Sequence, residues 1–447
     1  MDQAPSPNTA GPPFVVTNRL VLSVAVPMTL AYLTTPLIGV VDTAVVGQLG
    51  SAALLGGLAG GAVVFDVVFS TFNSLRSSTT GLVAQAHGRG EPEEEQATVM
   101  RSLAAALGIG ILLMLLTPAV AALGVWFIDP APDVAEAMRA YIEIRMLAAP
   151  LTLINFSVLG YLLGRGEGGL GLALQFLLNG ANIALSILLG LKLGWGLEGV
   201  AWGTVGGELL AAAAGIALLT RRFSGARRLP LARIFDVADI ARMLALNGDI
   251  MIRSFSLLAA FALFTRQGAQ LGTVTLAANA ILINFFLVAG YFLDGFATAA
   301  EQLAGRAVGA RYEPAFRRAV WLTSLWGFAL AGVAAAVLLI FGEAFVGLLT
   351  TAPEVRELAI AFLPWAALTA VSGVLAFQMD GVFIGATWSR DMRNMMLLSL
   401  AIFVLWLIVA GDDFGNHGLW AAIHIFLVAR GLSLLAMLPK RARETFA

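Results

Sequence analysis

A single aspartate in the first apolar stretch is the residue best placed for chemistry. Asp42 follows Pro27 and Pro36 in that stretch. An ionised carboxylate within a bilayer costs a few kcal/mol, so a carboxyl group that faces a partly wet cavity could bind and release a proton. Each proline removes a helical hydrogen bond, and we expect the helix to bend there. The alternative is a carboxylate exposed near the outer headgroups.

Five uncharged polar residues in the first half of the chain could accompany this aspartate. Asn179, Asn182 and Ser186 are spaced i, i+3, i+7, so they share one face of a helix. Tyr141 and Thr204, on neighbouring predicted helices, could join them. The residues could form a polar network that takes part in ion binding, or only hydrogen bonds between helices, worth about 1 kcal/mol each. Asn179 and Asn182 could also join the aspartate as oxygen ligands of a Na⁺ ion.

The second half of the chain carries a charged set of its own: Asp249, Arg253, Asp294, Glu301 and Asp380. Asp249 and Arg253 are four residues apart on one predicted helix and could pair. Asp294 and Glu301 are seven apart and share a face. We interpret the set as an ion-pair network that fixes this half. The alternatives are a second proton or Na⁺ site, or a patch that receives a cationic substrate.

Composition identifies an integral membrane protein. The 447 residues are 59% hydrophobic and only 12% charged, whereas soluble domains carry about 25% charged residues. A net charge of −1 offers no basic footprint for nucleic acid. The chain has no cysteine, and its three histidines lack metal-ligand spacing. No Gly-x4-Gly-Lys-Ser/Thr motif is present, so we expect neither direct ATP coupling nor a resident cofactor or metal.

Twelve stretches reach the roughly 20 apolar residues that a spanning helix needs. They are 19–46, 52–79, 97–122, 134–160, 169–193, 198–221, 238–265, 274–301, 316–342, 354–381, 393–411 and 418–438. This predicts an all-α fold with twelve transmembrane helices. Residues 1–16, which are Pro-rich and lack Lys and Arg, are predicted to be a disordered tail.

Positive residues predict the orientation. They cluster in one set of connections and in the C-terminal tail: Arg89, Arg165, Arg221, Arg222, Arg227, Arg228, Arg233, Arg306, Arg311, Arg390, Lys440, Arg441 and Arg443. By the positive-inside tendency, both termini are cytoplasmic. The loop 223–236 is then the linker between an N-lobe (17–222) and a C-lobe (237–447), each of six helices. We predict a multi-pass protein of the cell inner membrane.

The two lobes repeat each other. Gln48-Leu49-Gly50 recurs as Gln270-Leu271-Gly272, and Gly160 and Gly164 recur as Gly381 and Gly385. Because six helices return the chain to its starting side, the repeats are parallel, and such pairs hold substrate between them. The ionisable groups are not repeated, since Asp42 falls opposite Leu263 or Phe264. We therefore expect a symmetric scaffold whose coupling chemistry lies in the N-lobe.

Several segments resemble multidrug and toxic compound extrusion (MATE) transporters. Pro36-Leu-Ile-Gly-Val-Val-Asp42-Thr-Ala-Val-Val-Gly-Gln-Leu-Gly50 is similar to the first helix of that family. Segments 246–253, 276–282, 293–301, 380–387 and 392–394 resemble its DinF-like subfamily. The likeness covers nearly the whole chain.

The resemblance implies a cation-coupled antiporter, coupled to H⁺ or Na⁺, that exports organic, often cationic or amphipathic, compounds by alternating access as a monomer. It places a coupling aspartate at Asp42 and the polar network at Tyr141, Asn179, Asn182 and Thr204. Related proteins often carry Asp where this chain has Ser186, which would leave proton coupling more dependent on Asp42 and favours H⁺.

Four alternatives remain open. A major-facilitator-like drug antiporter would need the Gly-x3-Asp-Arg-x-Gly-Arg loop, which is missing at residues 86–92. A lipid-intermediate flippase typically has a cationic cavity, whereas the intramembrane charges here lean acidic. A membrane-embedded transferase would need clustered aspartates or a His–Asp pair, neither of which is found, and a passive channel would show no uphill transport.

Overall fold

The computed structural model describes residues 14–226 and 229–447, with the backbone alone for 410–412. Every regular element in these ranges is a helix. The first half contains α1 (Asn18–Gly47), α2 (Ala52–Phe72), α3 (Ser74–Arg89), α4 (Pro92–Leu115), α5 (Thr117–Ile128), α6 (Pro132–Met146), α7 (Ala149–Gly164), α8 (Gly168–Leu185), a π-helical segment (Ser186–Lys192) and α9 (Gly196–Phe223). The second half contains α10 (Leu231–Ile234), α11 (Val237–Gln270), α12 (Thr273–Gly309), α13 (Glu313–Leu349), α14 (Pro353–Gly385) and α15 (Ser389–Phe446).

The predicted fold class is confirmed. Eleven helical segments of the described chain are long and apolar enough to cross a bilayer, and the bent pair α6–α7 supplies a twelfth. The helices α2 and α3 together form one span, Ala52–Arg89. Two of the spans, Ser389–Val409 and Asp413–Phe446, lie in α15, whose backbone leaves the helical conformation at Gly415 (φ 52°, ψ −131°) near the start of the second span.

Prolines account for two breaks that the apolar pattern did not reveal. The predicted span 97–122 is divided into α4 and α5, where Pro118 in the first turn of α5 cannot supply the N–H that a continuous helix needs. The predicted span 134–160 bends by 51° between α6 and α7, and Pro150 lies in the first turn of α7. Proline at the first turn of a helix costs little, so each break is also a favourable helix start.

Both ends of the described chain lie on one face of the bundle, which we call the terminal face; the opposite one is the distal face. The carbonyl oxygen of Val16 accepts a hydrogen bond from Arg318 Nε at 2.7 Å. The ring of Phe446 packs against that of Phe316, with centroids 5.3 Å apart. Because Val16 is fully buried, the predicted disordered tail is wrong for its last residues, while residues 1–13 lie outside the described ranges.

The connection between the halves is fastened to the first half. Arg227 and Arg228 of the predicted linker lie outside the described residues. Farther along the linker, Arg101 of α4 donates hydrogen bonds to the carbonyl oxygens of Arg233 (2.9 Å) and Ile234 (3.1 Å). The side chain of Asp236 caps α11 by accepting from two backbone N–H groups.

The two halves meet on the terminal side, where α3 of the first half packs against α12 and α14 of the second. Glycines allow the backbones to touch: a Cβ at Gly88 would lie 2.1 Å from Arg306 O, and one at Gly309 would lie 2.0 Å from Gln85 O. The Gln85 side chain also donates to Gly385 O at 3.0 Å. The terminal face is therefore closed in this structure.

Hydrophobic packing divides along the same lines. One cluster around Met138, Tyr141 and Leu153 lies within the first half. Another, around Phe264 and Trp420, lies within the second. A third joins α1 to the second half, because Val21 and Val24 pack with apolar residues of α12, α13 and α14. The helix that carries Asp42 is thus shared between the two halves.

Candidate functional site

Asp42 lies near the distal end of α1 and is buried, with 5% of its surface exposed. Its Oδ1 atom has no hydrogen-bond partner among the described residues. The hydroxyl of Ser186 is within hydrogen-bonding reach of the carboxyl group, and the Arg145 guanidinium is within electrostatic range. The alternative of a carboxylate exposed near the outer headgroups is therefore excluded, since the side chain is buried within the first half. The helix runs unbroken through Pro27 and Pro36.

The predicted polar face of α8 forms next to Asp42. Asn179, Asn182 and Ser186 are all buried, as their spacing predicted. Ser186 Oγ donates to Asn182 Oδ1 at 3.3 Å, and Asn182 Nδ2 donates to Thr204 Oγ1 on α9 at 3.1 Å. Asn179 instead donates to Thr34 Oγ1 on α1 at 2.6 Å. The network thus joins α1, α8 and α9.

The helix changes its winding at this network. Ser186 is the first residue of the π-helical segment that follows α8. Such segments are rare and occur frequently at functional sites. A Cβ at Gly203 of α9 would lie 2.6 Å from Ser186 N, so the two backbones are in contact here. The close approach explains why no bulkier residue fits at position 203.

Arg145 on α6 is the cation of this site, a role that was not predicted from the sequence. Its Nη1 atom donates to Tyr141 Oη at 3.0 Å, and its guanidinium lies 4.2 Å from the centroid of the Phe65 ring. Cation–π contacts of this kind hold a guanidinium in a fixed orientation. Tyr141, predicted to join the polar network, therefore takes part through Arg145.

Three carboxyl groups surround Arg145. It is within electrostatic range of Asp42, Asp66 and Glu208, which lie on α1, α2 and α9. Glu208 is buried and accepts a hydrogen bond from Asn155 Nδ2 at 2.6 Å. Asp66 is exposed and within range of Tyr291 on α12 of the second half. The first half thus holds three acids around one base.

The charged residues of the second half form a different arrangement. Asp380 Oδ2 accepts from Arg253 Nε at 2.7 Å and also pairs with Arg430. The predicted pairing of Asp249 with Arg253 is wrong: Asp249 accepts from Arg393 Nη1 at 2.7 Å. Contacts between helices override the i, i+4 spacing. Arg430 and Arg393 were not predicted, although Arg430 stands out as an arginine in a long apolar stretch.

Asp294 and Glu301 lie where the two halves meet. Glu301 is buried and pairs with Arg76 of α3, with 3.6 Å between Nη1 and Oε2. Asp294 is within electrostatic range of Arg76 and Arg253, and so lies between the two ion pairs. Nearby, Tyr32 Oη and Thr298 Oγ1 form a hydrogen bond of 3.0 Å between α1 and α12. These polar residues join the halves as well as fixing the second one.

Among the described residues, no group of three His, Cys, Asp or Glu side chains could hold a metal ion. The candidate Na⁺ ligands are partly engaged, because Asn182 Oδ1 already accepts from Ser186. The chemistry open to this arrangement is proton transfer: the Asp42 carboxyl group can bind and release a proton next to the Arg145 guanidinium.

Two helical halves with buried ionisable groups, closed against each other on one side, define a membrane transport protein. The MatE family model matches residues 27–188 and then 250–409, one segment in each half and together more than half of the chain. The chain therefore belongs to the MatE family, whose members are transporters and not enzymes.

Individual relatives agree with this assignment. DNA damage-inducible protein F of Escherichia coli (strain K12) is 37% identical over 435 residues, which cover 96% of this chain and 93% of the relative. A probable multidrug resistance protein NorM of Chromobacterium violaceum is 25% identical over 460 residues, 95% of this chain and 94% of the relative. A crystal structure of MATE in the bent conformation has a TM-score of 0.88 at 17% identity, covering 96% of each chain. The predicted resemblance is confirmed.

Proposed function

We propose that this protein is a secondary antiporter that exports organic compounds, many of them cationic or amphipathic, in exchange for protons that bind at Asp42. One observation carries the proposal: Asp42 is a buried carboxyl group with an unpartnered oxygen, set between a polar network and a fixed guanidinium. Perturbed carboxyl groups of this kind are typical of proton-coupling sites. The names of the relatives, among them multidrug resistance proteins, support the choice of substrate class.

Proton binding would redistribute the attractions around Arg145. In the deprotonated site, Asp42, Asp66 and Glu208 share the guanidinium. Once a proton neutralises Asp42, only the other two acids attract the Arg145 guanidinium. Helix α1 then loses its electrostatic attraction to α6 and can repack. A cationic substrate near the exposed Asp66 would compete for the same negative charge. The proton and the substrate then oppose each other, as antiport requires.

This scheme needs the proton to bind the two conformations with different affinity. A ligand moves a 1:99 equilibrium to 99:1 only if its affinities differ by about 10⁴-fold. A single carboxyl group supplies part of that difference, so substrate binding must supply the rest. The shared position of α1, packed against both halves, makes it a suitable element to transmit the change.

We favour H⁺ over Na⁺ as the coupling ion. A Na⁺ ion needs several oxygen ligands, and the hydroxyl of Ser186 and the carbonyl of Asn182 are hydrogen-bonded to each other. The guanidinium of Arg145 would also repel a second cation beside Asp42, most strongly in a medium of low dielectric constant. A proton avoids the first problem because it needs no ligand shell, whereas the repulsion from Arg145 acts on both ions, so the choice rests on the ligands.

The arginine-rich terminal face is then the cytoplasmic one by the positive-inside tendency. We place the protein in the cell inner membrane as a monomer with both termini in the cytoplasm. In this proposal, a conformation closed at the terminal face would be the one that receives protons from outside and releases substrate there.

The test is efflux of organic cations by purified protein in liposomes under an imposed pH or Na⁺ gradient. We expect Asp42→Asn protein to insert normally and to lose transport driven by the pH gradient. Asp133→Asn is the matched control, because Asp133 is exposed at the start of α6 and outside the network. Normal efflux by the Asp42→Asn protein, or efflux driven by Na⁺ alone, would end the proposal.

A further inference from the structure

A cavity of about 650 Å³ opens on the terminal face, lined by residues of the second half and distinct from the Asp42 site. One lining residue, Thr387, accepts a hydrogen bond from Gln85 of the first half at 3.1 Å, so the cavity borders the contact between the halves. It lies between the first turns of α11 and the turn that joins α14 to α15. Its charged lining consists of Arg242 and Asp249 on α11 and of Arg390, Asp391 and Arg441 on α15.

Both acids of this cavity are already neutralised by protein groups. Asp391 Oδ1 accepts from Arg441 Nη2 at 2.9 Å, and its other oxygen accepts from the Nε of the same residue. Asp249 accepts from Ser389 Oγ at 2.6 Å and from Arg393 Nη1 at 2.7 Å. These bonds fix the floor of the cavity and leave its acids little capacity to bind a cation.

Two arginines at the cavity remain unpaired. Arg242 and Arg390 are exposed, and neither has a hydrogen bond or an ion pair within the part of the chain that the structure describes. The unbalanced charge of the cavity is therefore positive. Because a guanidinium offers a planar fork of donors that matches phosphate oxygens, the complementary ligand is a phosphate-bearing anion.

The surroundings indicate that the phosphate belongs to a lipid. The exposed apolar side chains of Val237 and Leu244 occupy the face of α11 next to the one that lines the cavity. Trp388, a residue type enriched at membrane interfaces, lines the cavity itself. If a lipid headgroup occupied the cavity, its acyl chains would thus lie along the apolar strip that Val237 and Leu244 form on α11.

We propose that this cavity binds the headgroup of an anionic phospholipid, with Arg242 and Arg390 as its phosphate ligands. Basic pockets between transmembrane helices are the usual setting for such headgroups. The bound lipid would bridge α11 and α15, the helices that also carry the Asp249–Arg393 ion pair. The site does not depend on the coupling ion or on the exported compound.

The test is a titration of purified full-length protein in detergent micelles with phosphatidylglycerol or phosphatidylcholine, followed by native mass spectrometry. We expect tighter binding of phosphatidylglycerol, and about 25-fold weaker binding in the Arg242→Gln/Arg390→Gln double variant, since each arginine contributes roughly fivefold. The matched control is Arg19→Gln/Arg221→Gln, which removes two exposed arginines of the terminal face outside the cavity.

The control pair should retain wild-type affinity. An equal loss in both double variants would show that only the general surface charge attracts the lipid, and unchanged binding in the cavity variant would show that the arginines are not ligands; either result overturns the proposal. Inorganic phosphate distinguishes the two sources of the anion. If it displaces the lipid at equal concentration, the site binds phosphate alone and the assignment to a lipid is wrong.

Discussion

The glycine contacts between the halves allow a single added methyl group to shift the equilibrium between the conformations that are closed and open at the terminal face. A Cβ added at Gly309 would lie 2.0 Å from Gln85 O, and one at Gly88 would lie 2.1 Å from Arg306 O. Both clashes are with backbone atoms of the opposite half, so no side chain can move to relieve them. Gly309→Ala should therefore push α3 and α12 apart on the terminal face.

The size of the effect follows from the distances. A Cβ essentially never lies under 3.0 Å from another heavy atom, so the contact at Gly309 must open from 2.0 Å to at least 3.0 Å. Overpacking of a close-packed interface typically costs about 1–3 kcal/mol. Only the conformation that is closed at the terminal face bears this cost, because the halves separate there in the other one. The ratio of the two conformations should shift by about 5- to 150-fold.

The assay can use introduced cysteines, since the chain has none of its own. Spin labels at Thr220→Cys on α9 and Arg317→Cys on α13, both exposed on the terminal side, report the distance between the halves. We expect Gly309→Ala and Gly88→Ala to enlarge the population with the longer distance.

Two further glycines serve as controls. Gly160→Ala places its Cβ 2.6 Å from Arg76 O within the first half, so it should lower the melting temperature without changing the distances. At Gly108 no heavy atom lies within 4 Å of the added Cβ, so neither quantity should change. The reasoning is refuted if Gly309→Ala protein keeps the wild-type distance distribution, or if Gly160→Ala shifts the distribution equally.

Three further experiments test the assigned roles of individual side chains. Ser186→Asp adds a second carboxyl group beside the coupling site, so the pH profile of transport should change; an identical profile would argue against a coupling role for this position. In a double-mutant cycle on thermal stability, Asp380→Asn should cost about 3–5 kcal/mol because it leaves Arg430 buried without its partner. Arg253→Gln should cost less, because Asp380 still pairs with Arg430, and the double variant should cost less than the sum. Lost transport at unchanged stability would contradict a structural role. Arg101→Met leaves two carbonyl groups of the linker without their donor, so it should lower the free energy of unfolding by about 1–3 kcal/mol. Arg317→Met is its control: it removes only an exposed ion pair and should change that free energy by no more than about 0.5 kcal/mol in the same melting experiment. If Arg101→Met lowers the free energy of unfolding by less than its control does, these hydrogen bonds do not hold the linker to the first half.

Length and apolarity were sufficient to predict the spans, because a bilayer imposes both on every crossing helix. The helix ends were less predictable, since nothing in an apolar window shows where a helix continues into water. The span predicted as 52–79 continues to Arg89, through a segment with four consecutive buried hydroxyl residues, Ser77 to Thr80. Their burial against neighbouring helices, which the sequence does not show, allows a polar helix to persist there.

The candidate site was predictable where one helix determines it and not where several helices meet. The spacing of Asn179, Asn182 and Ser186 correctly predicted a shared buried face. The pairing of Asp249 was wrong, because Arg393 on another helix reaches it. Arg145 was missed for the same reason: its three acidic neighbours come from three helices, and only the folded chain brings them together.

The repeat that is visible in the sequence has a counterpart in the contacts. Gly160 approaches Arg76 O and Gly164 approaches Thr80 O within the first half; at an offset of 221 residues (381 − 160), Gly381 approaches Ala297 O and Gly385 approaches Glu301 O within the second. The same crossing of two helices is therefore built twice from the same glycines.

The side chains at those crossings differ between the copies. Arg76 corresponds to Ala297, and Thr80 corresponds to Glu301, yet Arg76 and Glu301 form an ion pair between the halves. Its symmetric counterpart would join Ala297 to Thr80 and could carry no charge. Because backbone contacts at glycine set the helix crossings, the side chains around them were free to diverge. This explains how a symmetric scaffold can hold a base and its acid on opposite halves, and how the proposed proton site can lie in one half alone.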